Sequence, residues 1–386
     1  MQSRINSFDV AVIGGGVIGL SIAWRAAQRG LHTIVLERGK PGAATSSVAA
    51  GMLAPVSEAV MTELPLLALG LASAHRNQGF VAELEDASGL GCGHLRCGTL
   101  LAARDVDDAE ALERELALRT SLGLAARRLR ASEARALEPA IAPTLRLALD
   151  IPDDHAIDPR RLTAALTAAL LGAGVAVREG AAVTTVTIPG GRVAGVEVAG
   201  ERVVAEHVVI AAGSWSASVN GVPSDALIPI HPVKGQILEL RDPSGQALLS
   251  RVLRMRGGYV VPRGDGRYVV GATVEERGFD TTVTAGACFE LLRDTIELLP
   301  GLSELVVERL SAGLRPATPD NLPAIGPGAI SGLHWAAGHY RHGVLLAPVT
   351  AEIVVAGILG EDPSLLEGVE VAPFSPARFA TIGAGV

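Results

Sequence analysis

Cysteine is scarce: the 386 residues contain three, Cys92, Cys97 and Cys288. A small odd number excludes a disulfide framework and agrees with a reducing compartment. Cys92, His94 and Cys97 offer soft ligands without a fourth nearby, so ordinary packing is expected there and no metal site is assigned. Lysine is scarcer still, only Lys40 and Lys234 against abundant arginine, a codon bias toward Ala and Arg that carries no mechanism. No apolar run reaches the roughly 20 residues of a membrane span. The longest, Leu162 to Val177, contains Gly172 and Gly174 and reads as a helix followed by a strand. A secretory h-region is missing too, because Gly14, Gly15 and Gly16 interrupt the first apolar stretch, and a cytoplasmic protein is expected. The net charge is 33 − 41 = −8, and the densest basic cluster, Arg127, Arg128 and Arg130, reads as a helix surface, which argues against nucleic acid.

What the chain does have is apolar content, 48%, and a length that suggests two or three lobes at about 150 residues per domain. Asp9 to Ile13 reads as a strand, Val17 to Gln28 as a helix stopped at Gly30, and Thr33 to Leu36 as a second strand, together a βαβ unit. Helices are expected over Leu64–Glu85, Asp108–Ala126, Ser132–Leu137, Pro159–Leu171, Ala285–Leu299 and Ala347–Leu359. Val183 to Val209 reads as a three-stranded meander, and Val233 to Ala272 as β-rich with a hairpin at Gly264-Asp265-Gly266. Further strands are expected at Val306–Leu310 and His334–Ala337, so that the lobes interleave along the chain.

Gly14-Gly15-Gly16-Val17-Ile18-Gly19 fits G-x-G-x-x-G. Gly14 permits the tight turn, Gly16 lets backbone approach a pyrophosphate, and Gly19 permits close helix packing. The turn follows a strand, opens a helix, and is followed by Glu37 at the end of the second strand, where a carboxylate can accept from a ribose. The helix N-terminus adds free N–H groups and a positive dipole end for phosphates. These features do not separate NAD from FAD, since both present adenosine diphosphate to the same turn. Thr45-Ser46-Ser47 with Ala49 to Met52, and Gly338 to Leu345 between a strand and a helix, are segments that could pass close to a flavin.

These segments together resemble the D-amino acid oxidase family of FAD-dependent oxidoreductases, closest to the glycine oxidase branch of thiamine biosynthesis. The likeness covers nearly the whole chain. It rests on DVAVIGGGVIGLSIA from Asp9, SSVAAGMLAP at Ser46–Pro55, HPVKGQILEL at His231–Leu240, YVVPR at Tyr259–Arg263 and VGATVE at Val270–Glu275, then on AGLRPATPDNLPAIG from Ala312 and AAGHYRHGVLLAPVTA from Ala336. The resemblance implies an α/β fold: a Rossmann-like FAD-binding domain over 1–90, 153–222 and 313–386, interleaved with an α+β substrate domain over 91–152 and 223–312 on an antiparallel or mixed sheet.

It also implies non-covalent FAD, since no cysteine follows Cys288 to make the cysteinyl flavin link of sarcosine oxidases. FAD would contact Val17, Ile18, Glu37, Arg38, Thr45, Ser46, Ala50, Gly51 and Met52, then Val183, and finally His339, Tyr340, Arg341, His342, Gly343, Val344 and Leu345. Arg315 would take the substrate carboxylate as a bidentate pair, with Tyr259 donating a further hydrogen bond and Arg341 lining the same pocket. From the residues alone, an ion pair is an equal reading of Arg315. The implied reaction oxidises glycine, and sarcosine or small D-amino acids, with dioxygen to the imine and then the 2-oxo acid, ammonia and hydrogen peroxide, in a homotetramer. A D-amino acid dehydrogenase, a sarcosine oxidase-like enzyme, a nicotinamide-dependent dehydrogenase and a non-catalytic flavin-binding assembly protein are the competing readings. Trp215 and Trp335 are expected in the core. Val274 and Gly257 stand where related enzymes can carry methionine and histidine near the substrate, and their smaller size is expected to admit larger amines.

Overall fold

The computed structural model describes residues 7–245, 247–362 and 368–380. The ends of the expected FAD-binding domain, 1–6 and 381–386, and the short pieces 246 and 363–367 lie outside the described residues. Two eight-stranded sheets organise the chain. The first strand, Ser7–Ile13, pairs in parallel with Thr33–Leu36 on one side and with Glu201–Ile210 on the other. Ala176–Arg178 and Leu333–Ala337 extend this parallel core outward, and Ala324–Pro327 adds an antiparallel edge. Parallel neighbours need crossovers, and the chain supplies helices for them. Alternation along Ser7–Ile13 sends Val10 and Val12 to a core shared with those helices, and Ala11 and Ile13 to the opposite face. The meander forms as expected: Val183–Thr187, Gly195–Val198 and Glu201–Ile210 are antiparallel.

Helix Val17–Gln28 ends where Gly30 turns to φ +81°, and it packs on Pro159–Gly172 and Gly343–Leu359. The last helix starts at Gly343, four residues before the expected Ala347, and runs through Pro348, which has no N–H to give to the intrahelical ladder. Among the described residues no helix is long and apolar enough to cross a membrane.

The second sheet runs in the order Val306–Ala317, His231–Arg241, Arg267–Gly271, Gly258–Pro262, Val252–Met255, Thr99–Ala103, Leu147–Ile151 and Arg127–Arg130. All neighbours are antiparallel except Val252–Met255 with Thr99–Ala103. Period-2 alternation again sorts two faces. Leu238, Leu253, Val260 and Val270 pack under helix Ala285–Leu298, whereas Ile237, Val252, Val261 and Val269 face Ala50 and Ala156 of the first lobe. Three expectations are corrected here. The Asp108–Ala126 helix is Val106–Ser121, and Arg127 to Arg130 form an edge strand, where alternating exposed arginines flank buried Leu129. The Val306–Leu310 strand continues to Ala317, held by its long ladder with His231–Arg241.

Gly19 shows how tightly the first crossover is built. A Cβ there would overlap the carbonyl oxygen of Gly14 and come within 3.2 Å of Val12 Cγ1. Gly19→Val is therefore expected to cost about 3 kcal/mol or more, the upper range of overpacking, measured as a lower urea midpoint; an unchanged midpoint would refute this contact.

Candidate active site

One long cleft lies between the two lobes, and its chemistry changes from end to end. At the first end is the glycine turn. Gly14 has φ +110°, and a Cβ there would run into the backbone of Ala211, so the strand-to-helix turn can pass only without a side chain. Glu37 holds this turn from below: its Oε2 accepts from Gly15 N at 2.7 Å and its Oε1 from Gly39 N at 2.8 Å. The helix that opens at Val17 has no side-chain cap at Gly16; Val17 N instead donates to Ser46 Oγ at 3.0 Å. Gly14, Gly16, Val17, Ile18 and Glu37 line the cleft, whereas Gly19 lies beneath them as packing. Arg38 lies 3.6 Å over the ring of Trp215, which in turn stacks on Phe279.

The middle is narrow and small-residued. Thr45, Ser46, Ala50, Gly51 and Met52 line one wall and Val183 borders it. Gly51, at φ +75°, passes Ile157 and Pro159 at distances that a Cβ would close. Beyond it, a second helix N-terminus points into the cleft. Gly343 and Val344 line it, and the N-cap residue His342 caps nothing with its side chain, so first-turn N–H groups and the positive dipole end are available to a ligand. Tyr340 adopts φ +47°, a conformation held by its N–H to Pro316 O at 2.8 Å. His339 lines the cleft with Nε2 3.0 Å from Thr350 Oγ1, and burial, with His342 alongside, pushes its pKa down to about 3. Burial lowers His342 as well. Neither imidazole is a standing cation near neutral pH. His342 and Leu345 are not part of the cleft wall; Leu345 is buried in the helical core.

At the far end stand Tyr259, Arg315 and Arg341. Thr45 Oγ1 and Ser214 Oγ, both from the first lobe, donate to Leu314 O at 2.8 and 3.0 Å, which fixes the backbone just before Arg315. Arg315 Nη1 donates to Lys234 O at 3.2 Å and Thr273 O at 3.1 Å, and the guanidinium also hydrogen-bonds the Tyr259 hydroxyl. The guanidinium lies flat on Gly235, where a Cβ would come within 2.5 Å of its carbon. In the same way Tyr259 lies across its cross-strand neighbour Gly271. Burial raises the Tyr259 phenol above its ordinary range, so it stays a hydrogen-bond donor.

Some expectations fail and some residues are new. Trp335 is fully buried as expected, but Trp215 is a wall of the cleft. Gly257 sits in the turn between two strands facing Asp294, and Val274 is 62% exposed; neither lines the cleft, so neither enlarges it. Gly235, Ile237, Gly313 and Glu58 do line it. Their signal lay in the His231–Leu240 and Ala312 segments for the first three; Glu58 carries no local signal.

The loop bearing Glu58 is unusually well secured. Val56 N and Ser57 N donate to the two Asp154 oxygens at 3.0 and 2.5 Å. Arg119 Nε and Nη2 donate to Val56 O and Ser57 O at 3.0 and 2.7 Å, and Arg254 also donates to Ser57 O. Asp154 is fully buried and Arg119 only 1% exposed.

This donor set fits FAD: a tight glycine turn and helix N-terminus for the pyrophosphate, an acid at the second strand end for the ribose, small residues midway, and a second helix N-terminus for the flavin ring. The sequence matches the family described as FAD dependent oxidoreductase over residues 9–356. It is 34% identical over 374 residues to glycine oxidase of Geobacillus kaustophilus, covering 96% of this chain and 97% of that protein. The crystal structure of glycine oxidase from Geobacillus kaustophilus is similar with a TM-score of 0.90 at 33% identity, covering 97% of this chain and 99% of that one. Identity to the bifunctional protein ThiO/ThiG of Synechocystis sp. is 36% over 378 residues; 97% of this chain is matched, yet the chain spans only 54% of that relative's length.

Burial pushes the Asp154 carboxyl up to about 6, against the pull of its N–H donors. A raised folded-state pKa means the native protein holds the proton longer, so this group's contribution to stability falls as pH rises. The unfolding free energy of the protein relative to Asp154→Asn is expected to drop by roughly 1 kcal/mol from pH 5 to 7. A pH-independent difference in chemical denaturation would reject it.

Proposed function

Because the chain belongs to the family of FAD-dependent oxidoreductases, with FAD as its cofactor, we propose that it oxidises glycine, sarcosine and small D-amino acids. The products are the imine, then the 2-oxo acid and ammonia, with dioxygen reduced to hydrogen peroxide. The observation that carries this reading is Arg315: a planar guanidinium edge held by two backbone carbonyls and hydrogen-bonded to a protonated tyrosine, at the flavin end of the cleft. A planar edge of this kind matches a carboxylate in a way an ammonium cannot.

FAD, when bound, supplies the hydride acceptor for the substrate Cα. Everything else falls to side chains. Arg315 would hold the carboxylate and Tyr259 would donate a second hydrogen bond to it, setting the orientation of Cα; fixed orientation is worth several kcal/mol of barrier. Glu37, Ser46, Val183 and the N–H groups at Gly343 and Val344 would hold the cofactor, and the small residues between Ala50 and Met52 would let it lie flat. Once the ammonium has given its proton to solvent, the nitrogen lone pair drives hydride loss, so no strong base is required. Cytoplasmic location, a homotetramer, and delivery of the imine to thiazole formation in thiamine biosynthesis complete the proposal on the strength of the resemblance. Loss of thiamine-independent growth on deleting the gene tests the last of these.

The purified yellow protein is expected to bleach anaerobically with glycine and to form peroxide in air. Bleaching without peroxide would make it a dehydrogenase, and no bleaching by any amine would overturn amine oxidation. Arg315→Ala is expected to raise the Michaelis constant for glycine by about 100-fold, the loss of a charge-assisted pair, with flavin content unchanged; unaltered glycine kinetics would reject the carboxylate role.

A further inference from the structure

The substrate end of the cleft contains a carboxylate that the reading above leaves without a task. Glu58 lines the cleft together with Tyr259, Arg315 and Arg341, and its side chain is 11% exposed. Among the described residues neither of its oxygens accepts a hydrogen bond. Its nearest basic atoms are Nδ1 of the His342 imidazole at 3.5 Å and Arg254 Nη2 at 4.0 Å. A desolvated carboxylate is costly unless donors reach it. Burial opposes its charge, but His342 when protonated and the standing positive field of Arg254, Arg341 and Arg315 outweigh that and hold it below the ordinary carboxylate range. Glu58 is thus an ionised acceptor with unused lone pairs, facing the space beside Arg315.

The loop geometry reinforces this. Asp154, Arg119 and Arg254 all bind the backbone of Val56 and Ser57, the residues just before Glu58, and none of the three is hydrogen-bonded to Glu58 itself. Two of them are buried charges committed to one short loop. Such anchoring suits a side chain that must stand in one place, since a site needs its ligating groups locked by the shell behind them.

We propose that Glu58 is the amine-recognition residue of this cleft, accepting N–H hydrogen bonds from the substrate nitrogen while Arg315 takes the carboxylate. The inference rests on the amine-oxidase reading and deepens it by naming the substrate class: small zwitterionic amino acids with at least one N–H. The pair reads the two ends of a zwitterion. A 2-hydroxy acid satisfies Arg315 but brings no cation to Glu58, and an acid with a second carboxylate on nitrogen meets repulsion there. Discrimination against these ligands comes from Glu58 more than from the size of the cleft.

The test compares the FAD-loaded protein with Glu58→Gln, following glycine kinetics and the perturbation of the flavin spectrum by glycolate, with melting temperature and flavin content as controls. Removing a charged acceptor is expected to raise the glycine Michaelis constant about 10- to 100-fold while glycolate binds as tightly or more tightly. Equal weakening of both ligands, or unchanged glycine kinetics, would overturn the role of Glu58 and leave amine oxidation standing. Failure of every amine to bleach the unsubstituted protein would remove the underlying reading instead. Should the Gln variant lose its flavin, Glu58→Asp carries the test: a moved but retained charge is expected to raise the glycine constant and spare glycolate, and parity between the two would overturn the inference.

Discussion

The carbonyl oxygen of Leu314 joins the two halves of this molecule. Hydroxyls of Thr45 and Ser214 from the nucleotide lobe both donate to it, at 2.8 and 3.0 Å, although Leu314 belongs to the other sheet. From that point the Val306–Ala317 strand runs in one direction through an eleven-pair ladder with His231–Arg241, and Arg315 stands one residue beyond the clamp. The position of the guanidinium relative to the glycine turn is therefore set by two side-chain hydroxyls on one carbonyl and by the backbone ladder that runs through it. Gly235 and Gly271 complete the arrangement by omission, giving Arg315 and Tyr259 flat ground to lie on.

Buried charge here is given fixed partners, carboxylates for Lys234 and backbone carbonyls for Arg119. Lys234 is 1% exposed, with Nζ 2.7 Å from Asp280 and 3.8 Å from Glu275, while its carbonyl serves Arg315. Arg119 spends its guanidinium on three carbonyls, those of Val56, Ser57 and Glu115. Buried charges satisfied in this way contribute little net stability but fix geometry, and here they lie behind the cleft at its substrate end.

Much of this was legible in the sequence, for identifiable reasons. The glycine turn, the acid at Glu37 and the meander are local: each is written in consecutive residues whose backbone needs are specific. The parallel strands read correctly because they are short apolar runs between turn signals. Arg127 to Arg130 misled because a basic run after a helix looks like its continuation, whereas Leu129 is the one buried residue of an alternating edge strand. Trp215 and Glu58 were not legible. Trp215 lines the cleft only because Arg38 and Phe279, distant in sequence, pack around its ring. Glu58 faces the cleft only because residues 119, 154 and 254 converge on its loop. Positions defined by long-range convergence leave no periodic trace. Gly257 illustrates the converse, a position two residues before Tyr259 that the strand turn carries away from the cleft.

The order of strands in the first sheet has a consequence for how the protein is made. Ser7–Ile13 precedes its partner Glu201–Ile210 by some 200 residues in the chain, and Leu333–Ala337 joins the sheet more than 300 residues after it. At 5–20 residues per second, the glycine turn waits roughly 15 to 65 s for its last supporting strand. Its N–H groups have no rigid platform during that interval. A complete nucleotide platform therefore exists only after that strand is made, and the early βαβ unit must persist until then without the partners that bury its second face.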